Sequence, residues 1–536
     1  MKKTMRQHSF TTRLKSLAVV FGIAMAFTSC ANEDVAQNPT NPNEDNGKNF
    51  TTFVAGDETK TRTSMDSDNG DFYWETGDYI YVKDDNNVWQ KSSNAPTSRV
   101  ASFKYKVTGK FTASTSYKIY YLGKNSSGNA VTISSNQYQT SPDNTEHFGT
   151  AGDYGFATAT GTLGGKSFSF TLEHQPAYLV FQPYTSNTVL NKCYLTKVEV
   201  TSDNDIAETY TINTSTDNLD ASAGGKQIIL TTGDGFPLTN NSTSKTTNGA
   251  YMIIKPGTHT LKIRYWVKDL ETRIEGAITR LLPSTTYVSN TYYDITANLN
   301  VKDYDGDHYC MWDAEQQYWY GYEWTRHLAA GTGQPALSYD PAGNYAQNNG
   351  DSNHRFYNES YPGYGISNPA THSCATLPNA NEMSWYIMYG DPRWDEDEAW
   401  TTMGHLYKGG MWFKKKSVLT AEGHYDTEKS ADGSTDMRTN ESYYNKSGSS
   451  SFSSGLPSAT NANKYFFLPA SGYYYEGVLY DFNQYFRYGK YWLSTADPKD
   501  SDRAYYLIFL KDYCYLSYEN RRYGNRAQKF SDFGDN

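Results

Sequence analysis

The chain has 536 residues, a formal net charge of -10 and no extended basic block, which excludes nucleic acid and other polyanionic partners, since these need a concentrated Lys/Arg surface. It is long enough for two to four domains, each with its own core. Aromatic residues make up 15% of it, 48 of them Tyr, and the mean hydropathy is -0.73; with plentiful Gly, Ser, Thr and Asn this composition suits β-structure carrying long polar loops.

Residues 1–30 have the order of an export signal: Lys2, Lys3, Arg6, Arg13 and Lys15, an apolar run from Leu17 to Phe27, then Thr-Ser-Cys. The run is too short to stay in a bilayer as a spanning helix and is expected to be cut away. Ser29 is the small residue that a lipoprotein peptidase needs before a cysteine, while Phe27 stands where Leu is usual. Cys30 is therefore the expected lipidation site; the alternative is an ordinary secretory signal with an incidental cysteine. Glu33 and Asp34 just after it resemble the surface-export signal of Bacteroidetes lipoproteins. No later stretch is apolar enough to span a membrane. A lipid-anchored precursor at the outer membrane or cell surface is expected, held by its anchor alone. Residues 31–49 are polar and contain prolines, so they read as a flexible tether.

From residue 50 the pattern becomes period two. Short alternating segments recur at 50–54, 72–85, 102–107, 117–123, 167–184, 193–202, 226–232, 250–256, 260–269 and 285–295, with frequent turn signals between them. None keeps helical spacing for more than two turns, and this is the pattern of β-sandwiches. The expected division is one sandwich over 50–185 and a second over 186–300.

Within this stretch Thr61-Arg62-Thr63, Trp74, Gly77-Asp78 and Ile80 are followed by Phe170-Thr171-Leu172-Glu173-His174-Gln175-Pro176-Ala177, Leu179 and Phe181. The set resembles the fimbrillin-type lipoproteins of Bacteroidales, which build type V pili. Read without the resemblance, Trp74 and the Phe-x-Leu-x-His pattern are core and corner residues of some β-sandwich, and in either reading His174 is structural. The resemblance implies two β-sandwich domains, removal of the first strand by an arginine-directed protease, and polymerisation as a neighbouring pilin's strand fills the vacated groove. Arg62 is the candidate cleavage point, placed after a strand near Phe50–Val54; the alternative is that Thr-Arg-Thr merely begins the next strand.

Residues 301–536 change character and are rich in Tyr, Trp, Gly, Asn and Ser. A strand that runs straight into a further folded domain has no free end to lend, so the chain is expected to accept a strand at the distal end of a pilus. Cys374-x-x-Leu377-Pro378-Asn379-x-x-Glu382, then Phe467 to Tyr473, Gly489 to Thr495, Ala504 to Leu507 and Arg522-Tyr523-Gly524 resemble the Fibrobacter major paralogous domain. That resemblance implies a loop-rich α+β fold of the C-type-lectin-like class. The triplets by which such lectins hold calcium and sugar together are absent: Gln334-Pro335-Ala336 lacks the acid, and there is no Trp-Asn-Asp. Asp303, Asp305 and Asp307 have Ala314 where an EF-hand loop needs its Glu, so they read as a solvated turn.

Nothing else in the sequence carries chemistry. There is no GxSxG, HExxH, GxGxxG or P-loop, and the histidines lack ligand spacing. Asp395 to Glu398 read as a solvated acidic loop. Cys193, Cys310, Cys374 and Cys514 lie far apart; a disulfide or two in an oxidising compartment is consistent with them, with no readable pairing. No enzyme, cofactor or metal is expected. Rings in loop-like sequence can stack on sugars or anchor a protein partner, and Trp319, Tyr320, Trp394 and Trp412 are the candidate ligand-binding residues, although for any single one of them packing in a core is the favoured reading. The reading is a surface-anchored precursor, mostly β, with two fimbrillin-like sandwiches and a C-terminal lectin-like adhesive domain. It would bind other pilins by donor-strand complementation and a surface glycan or protein at its tip; the rival is a glycan-capturing lipoprotein that never polymerises.

Overall fold

The computed structural model describes residues 5–9, 50–56, 64–65, 72–124, 126–127, 129–213, 219–323, 343–359, 370–448, 452–456, 461–480 and 487–535. Within them the chain is mostly β, as the alternation predicts. No helix among them is long and apolar enough to cross a membrane. Cys30, Arg62 and Gln334 to Ala336 lie outside the described residues.

Alternation builds the first core. In the Phe50–Ala55 strand, Thr51, Phe53 and Ala55 are buried and the residues between them are not. Strands Trp89–Lys91, Ile80–Lys83, Ser116–Tyr121, Gly155–Gly161, Ser167–Phe170, Phe50–Ala55 and Phe103–Thr108 follow one another in the sheet. The sheet curls until its two ends meet at a Ser92–Val107 bridge. Trp74 is fully buried inside, edge-on to Tyr105 and Tyr121. Gly77 turns the chain with a φ of 81°, in the left-handed region that glycine enters without strain. Asp78 closes that turn, accepting from the Glu75 N–H at 2.6 Å and the Tyr121 hydroxyl at 3.0 Å.

The second core lies between two sheets. Thr291–Asn298, Ala177–Tyr184 and Ala250–Ile254 make one layer, and Asn136–Gln139, Gln227–Pro237, Tyr194–Ser202, Gly257–Lys268 and Glu275–Tyr287 the other. The Ala250–Ile254 edge is sealed by side chains rather than by a strand. Gln137 donates to the Ile253 carbonyl at 2.7 Å and accepts from its N–H at 2.9 Å, and Gln139 accepts from the Tyr251 N–H at 2.8 Å. Along the opposite edge, Met5–Ser9 pair antiparallel with Thr291–Ile295.

The expected division after residue 185 does not coincide with the division between these cores. Ala177–Tyr184 is central to the second unit, parallel to Thr291–Asn298 and antiparallel to Ala250–Ile254. Its run Ala-Tyr-Leu-Val-Phe is buried on both faces, which requires cover on both sides. The corner before it joins the two cores. His174 is buried with Nδ1 3.0 Å from Asp153 Oδ1, the Tyr178 hydroxyl donates to the same oxygen at 2.7 Å, and Phe72 stacks on the imidazole at 4.2 Å.

The third unit holds a six-stranded sheet, Tyr309–Cys310, Asn525–Arg526, Gly489–Ala496, Arg503–Leu510, Tyr513–Asn520 and Tyr444–Ser447 in that order. A second group, Arg393–Thr402, His405–Lys414 and Tyr465–Pro469, continues the second unit's larger sheet through one parallel pair, Ala277 with Glu398. The residues that resemble the Fibrobacter domain do structural work. Asn379 and Glu382 form a reciprocal capping box on the Ala380–Tyr389 helix. A Cβ on Gly489 would come within 2.1 Å of the Phe509 ring.

Cys193, Cys310, Cys374 and Cys514 are all free and buried, so the disulfides that the sequence left open do not form among them. Cys193 belongs to the second core and Cys514 to the third, while Cys310 and Cys374 share a small satellite cluster. Burial pushes the Cys193 and Cys310 thiols up to about 12, which leaves them inert at neutral pH.

Candidate functional site

Two features stand apart from ordinary packing: the place of the Phe50–Ala55 strand, and a polar cavity where the second and third units meet. The strand lies between Ser167–Phe170, to which it runs parallel, and Phe103–Thr108, to which it runs antiparallel. Phe53 is its anchor, 5.1 Å from Phe111, 5.5 Å from Phe168 and 6.4 Å from Tyr117 between ring centres. Taking this strand out would open a slot between two ladders, with a ring-sized hole at its centre.

The aromatic candidates separate. Trp319 is fully buried against Tyr318 and Tyr474 in the third core and is not a surface residue; the Gly, Asn and Asp around it make a loop that folds inward. Tyr320 beside it is 45% exposed. Trp412 meets Asp395, while Trp394, the residue before it in the same strand, packs in the third core. Trp394 is 8% exposed, and Trp412, packed on Phe467 at 5.0 Å, donates its indole N–H to Asp395 Oδ2 at 3.3 Å.

The acidic run is a strand with a bulge between Asp395 and Ala399, not a solvated loop. Asp395 is 4% exposed and takes Arg264 Nη2 on Oδ1 at 3.0 Å, together with the Asp397 and Glu398 N–H groups at 3.2 Å. Lys408 pairs with Asp397 at 2.9 Å and Lys511 with Glu396 at 3.7 Å. The neighbouring cavity has a volume of about 340 Å³ and is walled by Lys262, Arg264 and Thr279 on one side and by Trp394 to Asp397, Ser454 to Leu456 and Lys511 on the other. Arg264 Nε and Trp394 Nε1 are buried without a hydrogen-bond partner. A larger cleft of about 1160 Å³ runs along Tyr120, Phe156, Tyr154 and Tyr210, but none of its described wall residues has a buried polar atom in that state.

Lys262, Arg264 and Thr279 escape a reading of the sequence because they lie more than a hundred positions from Trp394. The one signal was the alternation of Thr-Leu-Lys-Ile-Arg-Tyr-Trp-Val-Lys, which puts Lys262, Arg264 and Trp266 on one face. Asp303 and Asp305 are already engaged, the first by the Thr401 hydroxyl at 3.0 Å and the second by His308 at 2.8 Å. Among the described residues no group of His, Cys, Asp and Glu could hold a metal ion.

Glu398 accepts from the Thr279 hydroxyl at 2.7 Å. Burial, reinforced by the Asp395 charge, pushes its carboxyl up to about 7. A carboxyl held above its unfolded value binds more protons in the native state, so stability falls as pH rises through the interval from about 4.5 to 7 and levels off above it. Glu398→Gln removes that dependence. In paired urea titrations the variant should gain about 2–3 kcal/mol on the wild type between pH 5 and pH 8; parallel pH profiles would show that Glu398 ionises normally.

No protein-family model and no curated protein matches the chain. Among solved structures it is similar to a candidate cell adhesion protein from Bacteroides ovatus, with 14% identity and a TM-score of 0.31 over 47% of this chain and 94% of that one. It is also similar to the fimbrial anchor protein Mfa2 from Porphyromonas gingivalis, with 10% identity and a TM-score of 0.21 over 44% and 83%. A fimbrial protein from Bacteroides ovatus aligns over 89% of this chain and 98% of its own, with 10% identity and a TM-score of 0.23. At these scores and identities the likenesses assign neither fold nor activity.

Proposed function

We propose that the chain is a cell-surface pilus subunit, lipid-anchored through Cys30 as a precursor, that accepts a neighbour's strand and presents its C-terminal unit as the adhesive tip. It works by binding, without catalysis. The observation that carries this is the Phe50–Ala55 strand. It is hydrogen-bonded on both sides yet fills its slot with one large side chain, and Arg62 follows it by seven residues. Cutting there would free a short strand whose place an extended segment of another pilin could take, with backbone ladders on both flanks and one anchoring ring. Maturation at Cys30 would also remove Met5–Ser9 and expose the Thr291–Ile295 ladder, while the Gln137 and Gln139 amides keep the other edge closed.

Residues 525–535 are packed into the third unit. Phe530 and Phe533 are buried in the third core and Asp535 accepts from Lys416 N–H and the Tyr386 hydroxyl, so this segment is not an extended strand available to a neighbour.

Brief treatment of the chain from residue 31 onward with an arginine-specific protease tests the reading. The expected result is a first cut after Arg62, followed by uptake of a synthetic strand only by the cut form. The rival, a stand-alone glycan-binding lipoprotein, is favoured by the slot being filled by the chain's own strand. It would be upheld by intact Arg62 on mature cells and by immunogold label over the cell body with none at pilus ends.

A further inference from the structure

We propose that the cavity between Lys262, Arg264 and Thr279 on the second unit and Trp394 to Asp397 on the third is a binding site for one neutral glycosyl unit of a surface glycan. Its size is at the lower end for small-molecule sites. Its charges balance: Lys262, Arg264 and Lys511 stand against Asp395, Glu396 and Asp397. A wall with equal numbers of fixed cations and anions selects no net charge in its ligand. It instead offers donors and acceptors side by side, and a sugar hydroxyl, which both donates and accepts, satisfies such a wall at every position. Carboxylates and a guanidinium are also the planar groups that take neighbouring hydroxyls in pairs.

Two further observations point to an occupant. Arg264 Nε and Trp394 Nε1 are buried donors with no acceptor, both on residues of this wall, and such groups are costly to leave unpaired. Trp394 is also fixed by the Gly455 N–H, which donates to its carbonyl at 2.7 Å. The site therefore needs both units in place, with the second sandwich supplying Lys262 and Arg264 and the third unit Lys511, the acids and Trp394.

The proposal rests on the third unit being the binding end of the molecule. Its test is saturation-transfer NMR of the chain from residue 31 to 536 with free glucose, galactose, mannose, fucose and N-acetylglucosamine. At least one should bind saturably. Lys262→Ala and Glu396→Gln, both at the rim, should each weaken that binding about ten-fold, and Trp394→Phe, which keeps a ring but loses the N–H, should weaken it too. Leu163→Ala, an exposed change in the first unit, should leave it unaltered, with all four variants checked for an unchanged melting profile. Binding of no pyranose, or equal loss in Leu163→Ala, or response only to an acidic sugar would overturn the site. Strand uptake at the Phe50–Ala55 slot is measured separately, so a chain that takes up a strand but no sugar loses this site and keeps the pilus reading.

Discussion

Phe53→Ala is expected to destabilise the first unit by about 3–5 kcal/mol, the cost of deleting a buried aromatic ring together with the cavity it leaves. The ring has no exposed surface and touches Phe111, Phe168 and Tyr117. Its neighbours on the same face, Thr51 and Ala55, are too small to collapse into the gap. Hydrogen exchange at the amides of Phe103–Thr108 and Ser167–Phe170 reads the effect directly, because those ladders lose protection if the central strand leaves. The same geometry sets what an incoming strand must look like: one large apolar side chain with small ones two positions to either side. A peptide Phe-Thr-Thr-Phe-Val-Ala added to chain cut after Arg62 should restore protection, and the peptide with Ala for its second Phe should not. Restoration by both peptides would mean that backbone pairing alone holds the strand, and the ring-sized hole would lose its role in partner choice.

The period-two segments placed strands such as Phe50–Ala55, Ile80–Lys83, Phe103–Thr108 and Ser116–Tyr121, because a half-buried strand must alternate and Phe53, Val82, Val107 and Ile119 do so, but they missed Trp89–Lys91, Ala130–Ile133, Asn136–Gln139, Gly155–Gly161, Ala207–Ile212 and Leu219–Gly225. Ala177–Tyr184 shows where this ends. A strand buried on both faces does not alternate, so its sequence marks it as β but says nothing about which core it serves. The candidate site was half legible. Trp394 was visible as an aromatic beside acids and Trp412 as one beside glycines and lysines, but Trp319 and Trp394 both pack in the third core, since composition does not show which way a side chain turns. The partners that make the cavity come from Gly257–Lys268 and Glu275–Tyr287, and no local pattern reports that these strands lie against Arg393–Thr402. Their backbone ladder is the single Ala277–Glu398 pair, flanked by the Arg264–Asp395 and Thr279–Glu398 bonds, and beside it Gly276 leaves so little room that a Cβ would meet Ala399 Cβ at 3.1 Å.

Asp153→Ala should cost about 3–5 kcal/mol, the scale of breaking a buried hydrogen-bonded charge network by removing one member. Asp153 is fully buried, and its carboxylate is the acceptor for the His174 imidazole and the Tyr178 hydroxyl. Without it, two donors are left buried at the corner where the chain passes from the first core into the second. Asp153→Asn keeps the shape and one carbonyl oxygen, so its loss should be smaller, about 1–3 kcal/mol. The location makes a stronger demand than the magnitude. Phe72, which stacks on His174, packs also on Phe148 and Tyr178, so the corner ties the entry of the first sheet to the second core. If it couples the two units, calorimetry of Asp153→Ala should split one cooperative transition into two, with the first unit melting earlier. An unsplit transition with a lowered midpoint would reduce the network to ordinary core stability, and the motif through Phe170, His174 and Ala177 would then mark a fold without joining its parts.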